Sequence, residues 1–67
     1  MIDYSTLESF ENELGMYVRL LNGIKNGKLC FMIVYGRDFF IRRVTFYNRG
    51  YAYDYFNNVV DKLKRYV

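Results

Sequence analysis

Few residues in this chain could do covalent chemistry. Cys30 is the one thiol, and histidine is absent. Cys30 sits inside the run Leu29-Cys30-Phe31-Met32-Ile33-Val34-Tyr35, with apolar neighbours and no base beside it to activate the sulfur, so it reads as an inert packing thiol. Glu8, Glu11 and Glu13 read as the solvated side of a helix, not as paired carboxylates converging on a substrate. No Gly-rich phosphate loop is present. The usual acids, bases and nucleophiles are therefore missing, and the expectation is a protein that is not an enzyme. One cysteine without histidine also leaves no intramolecular disulfide and no zinc site, so no cofactor or metal is expected.

What the chain holds in quantity are groups that bind. It has 8 Tyr, 6 Phe and 10 Lys and Arg, with a net charge of +3. The charge is uneven. Residues 1–15 carry Asp3, Glu8, Glu11 and Glu13 and no base, whereas residues 16–67 hold every Lys and Arg against Asp38, Asp54 and Asp61. Sixty-seven residues make one small domain, 1–67. A chain of this size buries only about 60% of its unfolded surface, so aromatic packing or self-association must supply stability.

The elements that position these groups are organised around Leu29–Tyr35. This apolar run is far below the about 20 residues a membrane helix needs. It is rich in β-branched and aromatic residues and is followed by Gly36-Arg37-Asp38, so it reads as a central strand. Before it, Asn26-Gly27 is a strong two-residue hairpin signal. Residues 16–24 are therefore expected to be a strand; continuation of a first helix is the alternative. Pairing across Asn26-Gly27 sets Ile24 opposite Leu29, Leu20 opposite Ile33 and Val18 opposite Tyr35. A second turn at Arg37-Asp38 sets Tyr35 opposite Phe40, Phe31 opposite Val44 and Leu29 opposite Phe46. Both registers gather Val18, Leu20, Ile24, Leu29, Phe31, Ile33, Tyr35, Phe40, Val44 and Phe46 on one face, where Arg42 is the misfit and must reach for the rim or pair with an acid.

Helices are expected at both ends. Ser5-Thr6-Leu7-Glu8 has capping-box spacing, Leu7, Phe10 and Leu14 follow at helical intervals, and Gly15 suits a left-handed terminator, which predicts a helix over 5–14. Residues 51–66 place Ala52, Tyr55, Phe56, Val59, Val60, Leu63 and Val67 on one arc and polar residues opposite, entered through Asn48-Arg49-Gly50. The expected fold is thus α+β, an α-β-β-β-α domain with a three-stranded antiparallel meander and two helices on one face. That order is similar to the double-stranded-RNA-binding domains. Where those domains carry a lysine cluster at the last helix, this chain reads Arg49-Gly50-Tyr51-Ala52-Tyr53, so the likeness is one of topology and no residue role follows from it.

The far face of such a sheet carries Tyr17, Arg19, Leu21, Cys30, Met32, Val34, Phe39, Ile41, Arg43, Thr45 and Tyr47. A wet sheet face should be polar; this one is nearly as apolar as the buried one, which marks an interface for a protein partner or a homodimer. The partner-binding candidates are Tyr17, Arg19, Met32, Phe39, Ile41, Arg43 and Tyr47, with Arg43 and Tyr47 as anchors. The alternative is nucleic acid gripped by Lys25, Lys28, Arg43 and Arg49 beside aromatic faces. No membrane and no small-molecule substrate are expected. The N-terminus lacks a basic start followed by an apolar stretch, so a cytoplasmic location is expected. One alanine, no proline and no glutamine beside many Tyr, Asn, Phe, Ile and Lys suggest an AT-rich genome. The functional expectation is an accessory protein of a phage or plasmid that binds and inhibits a host protein.

Overall fold

A computed structural model describes residues 4–65. Four strands form one antiparallel sheet in the order β1 (Ser5–Glu11), β2 (Tyr17–Lys25), β3 (Lys28–Arg37), β4 (Phe40–Phe46), followed by one helix, α1 (Arg49–Lys64). The α+β class and the antiparallel meander are as the sequence suggested. Two finer expectations are overturned.

The segment expected to be the first helix is strand β1, paired along β2 from Ser5–Asn22 to Glu11–Tyr17 with a bulge between Thr6 and Glu8. The element order is therefore β-β-β-β-α, one helix covers the sheet instead of two, and the topological likeness to double-stranded-RNA-binding domains lapses. The physical reason is competition. An isolated helix of about ten residues is marginal in water, whereas β2 without β1 would expose a long apolar edge. Gly15 does adopt the left-handed region, at φ 83, but it turns the β1–β2 loop and ends no helix.

The expected strand over 16–24 is β2, Tyr17–Lys25, and the β2–β3 register is the expected one: Ile24 faces Leu29, Leu20 faces Ile33 and Val18 faces Tyr35. Asn26 and Gly27 turn the chain at φ 53 and 76. The β3–β4 register is displaced by two residues from expectation, with Phe31 opposite Phe46, Ile33 opposite Val44 and Tyr35 opposite Arg42. The turn residues are Asp38 and Phe39, and Asp38 takes the left-handed position at φ 55 that aspartate tolerates better than arginine. A shift of two keeps every side chain on its expected face.

Asn48 caps α1, its side-chain oxygen accepting from the Tyr51 amide at 3.1 Å. The helix starts and ends two residues earlier than the sequence suggested; Tyr66 and Val67 lie outside the described residues. It packs on β2, β3 and β4. Val18, Leu20, Phe31, Ile33, Ala52 and Phe56 form the buried core, with Phe10, Tyr35, Phe46, Tyr55 and Leu63 packed around it. Ile24 and Leu29 share that face yet are exposed, because the β2–β3 hairpin end projects past the helix. Arg42 escapes the core as expected: it is exposed, its guanidinium 5.5 Å from the Phe40 ring centre.

Candidate interaction surface

Strand alternation sends Tyr17, Arg19 and Leu21 of β2, Met32 and Val34 of β3, and Ile41, Arg43 and Thr45 of β4 to the face away from α1. Cross-strand pairing arranges them in rows. Arg19, Val34 and Arg43 make one row; Leu21, Met32 and Thr45 the next; Tyr17, Gly36 and Ile41 the row on the other side. Val34 thus stands between two arginines about 10 Å apart, twice the strand spacing. Arg19 lies with its guanidinium 5.2 Å from the Tyr17 ring centre, which holds it flat along the sheet.

Among the described residues no helix or further strand covers this face. Leu21, Met32 and Val34 are half-buried by their neighbours, Arg19 and Arg43 are exposed, and Ile41 and Tyr47 are 50% and 59% exposed. Phe39 is not part of the flat face. It forms the tip of the β3–β4 turn and is fully exposed at one corner. Cys30 is on this face yet fully buried, and the Tyr4 hydroxyl lies 3.9 Å from its sulfur, over the gap left by Gly23 opposite. Burial and the contact with Cys30 push the Tyr4 phenol above its ordinary pKa. The new strand β1 extends the face with Thr6, Ser9 and Glu11, so its far margin is polar.

The four bases of the nucleic-acid alternative are spread out. Lys25 and Lys28 face each other at the β2–β3 turn, Arg43 lies opposite Val34, about 20 Å along β3 from Lys28, and Arg49 opens α1 with its guanidinium 5.3 Å from the Tyr53 ring centre. No group of three Cys, Asp or Glu side chains able to hold a metal occurs among the described residues. No helix there is long and apolar enough to cross a membrane.

On the helix side, a groove of about 730 Å³ separates the end of α1 from the β3–β4 hairpin. Tyr35, Phe40, Arg42, Tyr55, Val59 and Lys62 line it. Its floor holds a hydrogen bond donated by the Tyr55 hydroxyl to that of Tyr35 at 3.2 Å. The sequence could not announce this groove, since it depends on where the helix stops short of the hairpin.

No known protein family, curated protein or solved structure matches the chain. The chemistry of the surface therefore carries the reading alone.

Proposed function

We propose that the protein is a non-catalytic interaction protein that docks a protein partner on the open sheet face. In that role it would act as a phage or plasmid accessory factor that occupies and so inhibits a host protein. The observation that carries this is the row Arg19–Val34–Arg43, set among Leu21, Met32 and Ile41 on a face that no described element covers. An apolar strip with a cation on either side suits a partner with an apolar ridge flanked by carboxylates. Arg43 and Tyr47 are the anchors, being large, exposed and of the residue types that concentrate binding energy.

The test is capture from host lysate with and without nuclease, using wild type and Arg43→Glu. The expected result is a nuclease-resistant protein partner that wild type retains and Arg43→Glu loses, while far-UV circular dichroism stays the same. Retention by Arg43→Glu would reject the open face as the site. Capture that disappears with nuclease, and binding that falls steeply with salt, would instead favour nucleic acid held by Lys25, Lys28, Arg43 and Arg49.

A further inference from the structure

The two edges of the sheet are chemically opposite. β1, at one edge, carries Glu8 and Glu11, with Glu13 just beyond and no base anywhere in residues 1–15. β4, at the other, carries Arg42 and Arg43 and no acid. A groove of about 560 Å³ runs along β4, bounded by Phe39, Phe40, Ile41, Arg42 and Arg43. An uncovered edge strand presents unpaired amides and carbonyls that a further strand can satisfy. We propose that β4 of one molecule pairs with β1 of a second copy, continuing the sheet from chain to chain.

The backbone phase of the two edges allows it. The residues flanking a two-residue turn exchange both their hydrogen bonds, and bonding then alternates along the ladder. Lys25–Lys28 and Arg37–Phe40 are those flanking pairs. Counting from them, the outward backbone groups of β4 belong to Ile41, Arg43 and Thr45, and those of β1 to Ser9 and Glu11. All five side chains lie on the open face, so the edges match in phase and in face. Strand direction matches too, because a copy displaced along an antiparallel four-stranded sheet brings its β1 antiparallel to β4. The bulge between Thr6 and Glu8 limits regular pairing to the Glu8–Glu11 half.

Within that half, one register sets Glu8 opposite Arg42 and Phe10 opposite Phe40. It joins opposite charges and covers Phe40, which is 66% exposed in the single chain. Pairing like edges fails on the same count: β4 with β4 crowds arginines, and β1 with β1 crowds glutamates. The contact is therefore head-to-tail and closes only as a ring; otherwise it grows as a filament.

Sedimentation of the full chain over a concentration series at low salt tests this. Wild type is expected to gain mass beyond two chains, and added salt to reverse it. Glu8→Lys alone and Arg42→Glu alone should each need about tenfold more protein to associate. An equimolar mixture of these two variants should associate like wild type, since each reversed edge then meets its reversed complement. If either variant unfolds, hydrogen exchange of wild type replaces it, with concentration-dependent protection expected at Ile41 and Ser9, the outward-facing pair of this register. A single-chain mass at every concentration would overturn the proposal, as would a two-chain plateau indifferent to both substitutions or exchange indifferent to concentration. Glu8 and Arg42 lie on the helix side, so loss of association in these variants leaves docking through Arg43 and Tyr47 intact and separates the two ideas.

Discussion

The carbonyl of Phe40 occupies the space that a Cβ on Gly36 would need. Gly36 pairs with Ile41, one step inside the Arg37–Phe40 pair that closes the β3–β4 turn. The two backbones meet closely there, and no side-chain rotation can relieve an added methyl group. Gly36→Ala should therefore cost about 1–3 kcal/mol or more by overpacking, read as a lower urea midpoint. In a domain of this size that is a large share of the total. An unchanged midpoint would mean that the hairpin closes in another register.

The same glycine shows what the sequence could and could not reveal. Asn26-Gly27 is a turn signal that leaves no choice, and the β2–β3 register followed from it residue by residue. Arg37-Asp38-Phe39 holds two neighbouring turns, and the choice between them rests on a backbone approach at Gly36 that no periodicity encodes. Because the displacement is an even number of residues, each side chain keeps its face, but the row through Val34 changes: the expected register sets Ile41 opposite Val34, and the structure sets Arg43 there. β1 departs from its helical pattern for a different reason. Leu7, Phe10 and Leu14 fit a helix, but Leu7 falls at the bulge and only Phe10 reaches the core cluster. Pairing with β2 settled a segment whose local pattern pointed the other way. The charge opposition of the two edges became visible only once that segment was a strand.

Cys30 is fully buried although it belongs to the open face, with the Tyr4 hydroxyl beside its sulfur. A disulfide reagent such as Ellman's should leave the native thiol almost unreacted and modify it at once in denaturant. Tyr4→Ala removes the hydroxyl and ring nearest the sulfur. It should speed labelling at least severalfold while changing the denaturant midpoint little. Fast labelling of wild type would show that Cys30 is open in solution.

The Tyr55 phenol donates to Tyr35, and this bond, with burial second, raises its pKa above the ordinary 10.0; Arg42 opposes the shift. A raised pKa means the fold favours the neutral phenol. Its stabilising contribution is therefore complete below about pH 10 and is lost as pH climbs through the folded value. Absorbance at the tyrosinate band should show Tyr55 titrating late in wild type. In Tyr35→Phe, which removes the acceptor, it should titrate earlier, with a shallower loss of stability in alkali. Identical titration curves would mean that the Tyr35 hydroxyl does not hold the proton on Tyr55.

Asn12 ties the β1–β2 loop to the end of the helix. Its side-chain oxygen accepts from the Leu14 and Met16 amides, each at 3.0 Å, and its amide nitrogen donates to the Leu63 carbonyl at 3.0 Å. Asn12→Ala strips all three bonds and should cost about 1–3 kcal/mol, since the Leu63 contact and the Met16 amide are partly buried. Asn12→Asp separates the two functions. The carboxylate can still accept from the loop amides, but it cannot donate to Leu63 and it sets a negative charge at the negative end of α1. Thermal unfolding at neutral pH should therefore place Asn12→Asp below wild type. Equal midpoints would mean that the bond to Leu63 contributes nothing, and that Asn12 serves the loop alone.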